Sequence, residues 1–391
     1  MERGRGRDGE LPCRFGDNDG MNHSELRSEF PSADVAVHFD HASVGPIPRR
    51  TAAAIHRVAE TYSADGFQNS WRDDIENVRA MVARLVGSSA GNVAFTQNTS
   101  TGLSIAANGL DWRPGDNVVL PEREFPSNFY PWMNLEHRGV RLRKVPAPQG
   151  HSTVDAIAAA IDERTRVVSV SAVQFSNGHR YDVAAIGELC RERGVLFVVD
   201  GTQAVGALAI DVDRSGIDLL AVSSHKWMLG PAGVGFVHVS DRGLERIRPD
   251  IVGWLSVREP FAFDYQLEMP STADRYEPGT ENVIGILGLG ASVSVFLERG
   301  PRQVEMDVLS LTDVLCERLI SSGHEIISPR SHDERSGIVI FRHPSTPAED
   351  LHARLLAAGI KCAPRGGGVR FSPHCYNNAD DVDSAIAAIA D

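Results

Sequence analysis

Ser223-Ser224-His225-Lys226-Trp227-Met228-Leu229-Gly230-Pro231-Ala232-Gly233-Val234-Gly235 sets one lysine between a strand end bearing hydroxyls and an imidazole and a turn of glycine and proline. Upstream, the apolar run Val195-Leu196-Phe197-Val198-Val199 ends on Asp200. Similar runs predict strands over 92–96, 117–121, 141–145, 167–172, 195–200, 219–223 and 234–239. Helical patterns lie between them, as over 154–161 and 184–193, the latter apolar at Ile186, Leu189 and Cys190, the spacing of one helical face. Strands alternating with amphipathic helices predict an α/β fold with a mainly parallel sheet.

From about residue 284 the texture changes. Helices are predicted over 284–297, 304–321, 350–358 and 379–390, with strands near 337–341 and 368–372, which reads as a smaller α+β domain. At 391 residues the chain is long for a single core, so two domains are expected. They divide as 22–285, a large domain, and 286–391, a small one to which the start of the chain is free to contribute. Residues 1–21, rich in Gly, Arg and Asp, read as a disordered extension, and Met21 offers a second start.

The net charge of −13 argues against a nucleic-acid or anionic-membrane surface and for work on small molecules. No run of about 18 apolar residues predicts a transmembrane helix, and the first residues lack the apolar core of a secretory signal. Cysteines at 13, 190, 316, 362 and 375 show no CxxC pair or metal-like spacing, and their odd number fits a reducing cytoplasm.

Four segments carry chemistry. In Phe95-Thr96-Gln97-Asn98-Thr99-Ser100-Thr101-Gly102 a strand runs through small hydroxyl residues into a helix over 103–110. The unpaired N–H groups and positive dipole end of a helix start suit a phosphate, although Ser and Thr are also favoured there as plain caps. In Glu124-Phe125-Pro126-Ser127-Asn128 an aromatic at a strand end can stack on a flat ring or fill the core. Asp200-Gly201-Thr202-Gln203 puts a carboxylate at the C-terminal sheet edge, where α/β proteins bind ligands. Lys226, among Trp227, Met228 and Leu229, reads as a buried amine that is readily deprotonated and nucleophilic toward an aldehyde. A lysine that captures an aldehyde, with a carboxylate to keep a pyridine nitrogen protonated, is the pair that pyridoxal phosphate (PLP) chemistry requires.

Two segments read as decoys. Gly288-Leu289-Gly290-Ala291-Ser292 lacks the third glycine of a dinucleotide fingerprint and sits in a helical pattern. Arg365-Gly366-Gly367-Gly368 looks like a phosphate loop but reads better as a turn before the strand carrying Arg370, beside the substrate entrance.

Together the segments NTSTG, EFPSN, DGTQ, SSHKWMLGPAGVG and Tyr276-Glu277-Pro278-Gly279-Thr280 resemble the class V aminotransferases of PLP fold type I. The resemblance runs from about Val37 to the C-terminus. Within the family the chain is most similar to the isopenicillin-N-epimerase-like branch, related to cysteine desulfurases and kynureninase. The branch features are His38-Phe39-Asp40-His41-Ala42-Ser43-Val44-Gly45-Pro46 and Arg370-Phe371-Ser372-Pro373-His374-Cys375-Tyr376-Asn377. The resemblance implies that Lys226 forms the Schiff base and Asp200 partners the pyridine nitrogen. It implies that Gln203 and Gln174 contact the cofactor and that Phe125 stacks on it. Thr99, Ser100, Ser223 and His225 would hold the phosphate, with Thr280 reaching in from a second subunit of a homodimer. Arg370 would bind the substrate α-carboxylate, with His41 and Trp254 nearby.

These motifs bear on the cofactor more than on the reaction. The resemblance implies an aminotransferase or a C–S lyase acting by β-elimination on a cysteine conjugate. An amino-acid epimerase and a cysteine desulfurase are alternatives on the same fold. Desulfuration needs a mobile cysteine shortly before the carboxylate-binding arginine, and by order only Cys362 qualifies, in a loop whose composition does not match. A nicotinamide-dependent oxidoreductase would need a complete glycine fingerprint after the first strand, which is missing. A binding module without catalysis would be expected to have lost Lys226.

Overall fold

The computed structural model describes residues 20–68 and 70–390. Residues 1–19, with Cys13 and nearly all of the predicted extension, lie outside the described residues.

Seven strands form the central sheet: β1 (Val93–Thr96), β2 (Asn117–Pro121), β3 (Arg141–Val145), β4 (Thr165–Ser171), β5 (Leu196–Asp200), β6 (Leu219–Ser223) and β7 (Gly235–Val239). Their order is β1-β7-β6-β5-β4-β2-β3. β7 pairs antiparallel with both neighbours, and the other adjacent pairs are parallel. Six of the strands are buried nearly throughout because the sheet is covered on both faces, whereas the edge strand β3, Arg141-Leu142-Arg143-Lys144-Val145, fully buries Val145 alone. On β5, Phe197 and Val199 join one apolar cluster while Leu196 and Val198 join another. β6 repeats this, with Leu220 and Val222 on one side and Leu219 and Ala221 on the other. Truncating the fully buried Phe197 to Ala would cost about 3–5 kcal/mol. The fold is α/β, with helices flanking a mostly parallel sheet.

Register sets the chemistry at one edge. Thr96 and Ser223 both lie opposite Gly235, and Ser171 lies opposite Asp200. The strand ends Thr96, Ser171, Asp200 and Ser223 therefore meet at the C-terminal edge of the parallel strands, the usual ligand edge of an open α/β sheet. Glycine is required at 235, because a Cβ there would sit 2.2 Å from the Val222 carbonyl oxygen.

The chain after Val283 forms long helices, Val283–Arg299 and Pro301–Ser321, and a four-stranded antiparallel sheet. The second helix begins earlier than the apolar pattern suggests because Pro301 suits a first helical turn. The sheet's hairpin, Ala363–Arg365 and Gly368–Phe371, pairs Ala363 with Arg370. Helices Ala348–Ala357 and Ala379–Ala390 contribute to its apolar cluster. The start of the chain returns here: Val37–His38 pairs parallel with Ile360–Lys361, and Asp40 bridges to Ser372. No single helix among the described residues is long and apolar enough to cross a membrane.

Candidate active site

A cavity of about 360 Å³ opens at the C-terminal edge of the sheet. Of the residues singled out in the sequence, Thr99, Ser100, Phe125, Asp200, Gln203, Ser223, His225, Lys226 and Arg370 line it. The lining also includes Ser43, Ser127, Phe175, Thr202 and Arg365.

Lys226 is held by its backbone. The Gly45 N–H donates to the His225 carbonyl at 2.8 Å, and the Trp227 carbonyl is bonded to His374 Nε2 at 2.8 Å. The turn closes through Leu229, whose φ of 53° lies in the left-handed region, a strain of order 1 kcal/mol for a non-glycine residue. Lys226 Nζ stands 5.2 Å from the centroid of Phe125, whose ring meets Phe175 edge-on at 5.1 Å. Burial lowers the ammonium below its ordinary range, Asp200 opposes that, and Arg370 and Arg365 add to the lowering. The uncharged, nucleophilic amine is thereby brought within easier reach.

Asp200 is buried, and its Oδ1 accepts the Thr202 N–H at 2.9 Å. Burial raises its carboxyl above the ordinary range. Beneath it, Glu124 takes the Ser171 N–H at 2.8 Å and the Ser171 hydroxyl. Burial pushes Glu124 up to about 7, with the Asp200 charge a smaller contribution. Gln203 is already engaged, donating to the Ala42 carbonyl at 3.0 Å and accepting from Trp227 Nε1 at 2.8 Å.

Across the cavity, helix Thr99–Gly109 starts with Asn98 accepting the Thr101 N–H at 3.0 Å. Thr99 Oγ1 lies 2.5 Å from Thr202 Oγ1 and 2.8 Å from Ser223 Oγ, a cluster of three hydroxyls beside the helix start. Arg370 enters from its own strand, almost fully buried, with Nη2 donating to Asp40 Oδ1 at 3.0 Å and to Ser43 Oγ at 2.5 Å. Its Nε is buried without a partner.

Four expected residues do not line this cavity. His41, expected as a substrate contact, is fully buried, its ring 2.8 Å from the Ser372 carbonyl and 2.9 Å from the Tyr376 hydroxyl. Gln174 is fully buried, its carbonyl accepting the Gly178 N–H at 2.8 Å. Trp254 and Thr280 line a second cavity with Phe67, Arg72 and Phe261. Sequence reasoning gave no role to Asp40, Ser43, Thr202, Phe175 or Glu124. Asp40, Ser43, Thr202 and Glu124 stand inside the motifs already quoted, so proximity to those motifs was the available signal, and Phe175 adjoins Gln174.

A doubly covered α/β sheet whose ligand edge gathers a buried lysine and carboxylate defines the class: an enzyme of PLP fold type I. The chain belongs to the class-V aminotransferase family, whose model matches residues 37–384. It is 32% identical over 389 residues to a probable cysteine desulfurase of Methanothermobacter thermautotrophicus, covering 93% of this chain and 96% of that one. Isopenicillin N epimerase of Streptomyces clavuligerus is 27% identical over 387 residues, covering 93% and 97%. Among solved structures, a cysteine desulfurase from Thermococcus onnurineus NA1 superposes with a TM-score of 0.84 at 24% identity, covering 93% and 96%. The cystine C-S lyase C-DES does so with a TM-score of 0.85 at 22% identity, covering 93% and 99%. As a family member the chain is a PLP-dependent enzyme. The donor set fits that cofactor: a hydroxyl cluster at a helix start for a phosphate, a buried carboxylate for a pyridinium, and an amine of lowered pKa.

Proposed function

We propose that the chain is a C–S lyase that removes a thiol from Cβ of a cysteine conjugate by β-elimination. One observation carries this reading: among the described residues no cysteine lines the cavity that holds Lys226 and Arg370. Cys190, Cys316, Cys362 and Cys375 are all buried. Cys362, the one placed by order to accept sulfur, is pushed by burial up to about 12, which keeps it a thiol rather than a nucleophilic thiolate. The hairpin after it turns directly at Gly366-Gly367 into the Arg370 strand. Relatives named for C–S chemistry support the bond, and the absent thiol supports elimination over transfer of sulfur to the protein.

Bound PLP supplies the electron sink for a bond broken at Cα. Lys226 Nζ would hold the cofactor at rest and take up the Cα proton when substrate is bound. Asp200 would keep the proton on the pyridine nitrogen, and Phe125 would cover one ring face. Thr99, Thr202 and Ser223, with Ser100 and His225 at the rim, would seat the phosphate, and Gln203 would use its remaining N–H toward the ring. Arg370 would grip the substrate carboxylate with two parallel N–H groups. With the Cα proton on Lys226 Nζ, the Cβ–S electron pair would leave with the sulfur as thiolate, and water would carry the remaining carbons and nitrogen to pyruvate and ammonia. We infer further that the working form is a homodimer, with Thr280 and Trp254 serving the neighbouring site.

The test is a panel of α-amino acids and cysteine S-conjugates, each with and without a keto acid. Pyruvate, ammonia and free thiol in equal amounts are expected from the conjugates, and no product from K226A. Amino transfer to the keto acid, racemised substrate, or persulfide left on the protein would each replace elimination with another reaction of the family.

A further inference from the structure

We propose that His151, His179 and Glu334 form a binding site for a divalent transition cation such as Zn²⁺, which clasps the loop before the Arg370-paired strand onto the cavity wall. One donor atom from each of the three lies within 4.8 Å of the other two. The two imidazoles face each other, centroids 3.6 Å apart and 7° from parallel, and His179 Nδ1 stands 4.0 Å from Glu334 Oε1. Nδ1 of both histidines is buried with no hydrogen-bond partner, and His179 as a residue is only 5% exposed. Buried polar atoms nearly always find partners, so two orphaned ring nitrogens side by side ask for a ligand. Two imidazole nitrogens and a carboxylate oxygen are a borderline set that suits Zn²⁺ and its neighbours and leaves a position for water. With metal bonds of about 2.0–2.2 Å the donors must close by roughly 1 Å and one stacked ring must tilt to aim its lone pair at the ion, while the half-exposed Glu334, whose Oε2 accepts from Ser331 Oγ at 2.6 Å, swings in by its other oxygen.

The placement gives such an ion a task. The Glu334 carbonyl accepts the Arg180 N–H at 2.9 Å, and Ser336 Oγ donates to the Gly178 carbonyl at 2.6 Å. The segment around 334–336 is thus already laid along 178–180, a few residues beyond Phe175 in the cavity wall. It leads into Val339–Arg342, whose Ile340 pairs with Arg370. A cation between His151, His179 and Glu334 would tie the Phe175 segment, the 151 loop and the strand beside Arg370 at one point.

Titration of the metal-stripped, untagged PLP-loaded enzyme with Zn²⁺, followed by calorimetry, is expected to show one site per chain. Co²⁺ in its place should give the visible absorption of a low-coordinate site. H151A and H179A should abolish both the site and the rise in melting temperature that Zn²⁺ gives the unsubstituted enzyme, and E334Q should weaken binding by about tenfold or more and shrink that rise. No stoichiometric Zn²⁺ binding, or equal binding by the unsubstituted enzyme and E334Q, would overturn the proposal. Should either histidine variant fail to fold, E334A, altered at a half-exposed side chain, decides it by the same measurements.

Discussion

Arg370 is held in a way that shapes how its loss should read. Its guanidinium is nearly fully buried and anchored to Asp40 and Ser43, while burial and Arg365 lower its pKa from the ordinary value. The Asp40 tie fixes the fork before substrate arrives, so little order is lost on binding. R370A should raise KM for amino-acid substrates by about 10²-fold, from charged hydrogen bonds of about 1.5–3 kcal/mol each. R370K, a point charge without the fork, should recover only part of that. A KM unchanged in steady-state kinetics would remove Arg370 from the substrate site. Glu124 makes a second residue-scale case. An unfolded glutamate ionises near its ordinary value, whereas burial delays ionisation in the folded chain to about 7. The folded state therefore carries a penalty that is absent at pH 4, grows as pH rises past the ordinary carboxyl range, and is complete above about pH 7. E124Q should be more stable than the unsubstituted protein at pH 8 by up to roughly 3 kcal/mol, with the gap closing by pH 4 in urea titrations. An equal gap at both pH values would show that Glu124 is not ionising in the folded protein.

At the scale of the element, the turn that carries Lys226 depends on a neighbour that comes twenty residues earlier in the chain. Gly206 has φ of 97°, and a Cβ on it would lie 2.3 Å from the Trp227 carbonyl oxygen and 2.7 Å from the Met228 nitrogen. Gly233 has φ of 79° but nothing within 4 Å of its Cβ position. Both alanine variants bear similar backbone strain of about 1 kcal/mol, and only G206A also pushes on the lysine turn. G206A should lose bound cofactor, read from its visible absorbance, and melt well below G233A. Equal melting and equal cofactor content would mean the turn tolerates the shift. Here the sequence was most readable: seven runs became seven strands with ends moved by two residues or fewer, six of them because both their faces are buried and no alternation blurs them, while β3 forms at the sheet edge with its charged side chains outward. The lysine, aspartate, hydroxyl and arginine motifs converge on one cavity because each stands at or just beyond a strand end. His41 lies away from the cavity because its neighbours in sequence, Asp40 and Ser43, face Arg370 while its own ring turns inward to Tyr376. That choice depends on a pairing between Asp40 and Ser372, more than three hundred residues apart, which no local pattern announces. The His151, His179 and Glu334 cluster was illegible for the same reason.

At the scale of the whole molecule, one apolar stretch offers a face for the proposed dimer. Ile251, Val252, Trp254, Phe261, Phe263, Tyr265 and Leu267 are all exposed within one short stretch. Phe263 and Tyr265 also carry positive φ, 49° and 58°. Apolar side chains gathered in this way mark an interaction surface. The stretch begins beside Trp254, which with Thr280 lines a cavity apart from that of Lys226. A second copy of the chain, related by a two-fold axis, would cover the stretch and bring Thr280 to the phosphate end of its neighbour's site. Sedimentation of the full chain should then give a dimer at micromolar concentration. Complementation tests the shared site more sharply. If Thr280 serves the neighbouring subunit, K226A would lack the amine and T280A the hydroxyl lent across the interface, and each would be inactive or impaired as a homodimer. In a co-expressed heterodimer, one site would combine Lys226 from the T280A chain with Thr280 from the K226A chain, and that site would be intact. Activity above the mean of the two parents is expected, approaching half that of the unsubstituted dimer per mixed dimer. Activity at that mean, in a preparation shown by mass spectrometry to contain the heterodimer, would place Thr280 in the service of its own subunit.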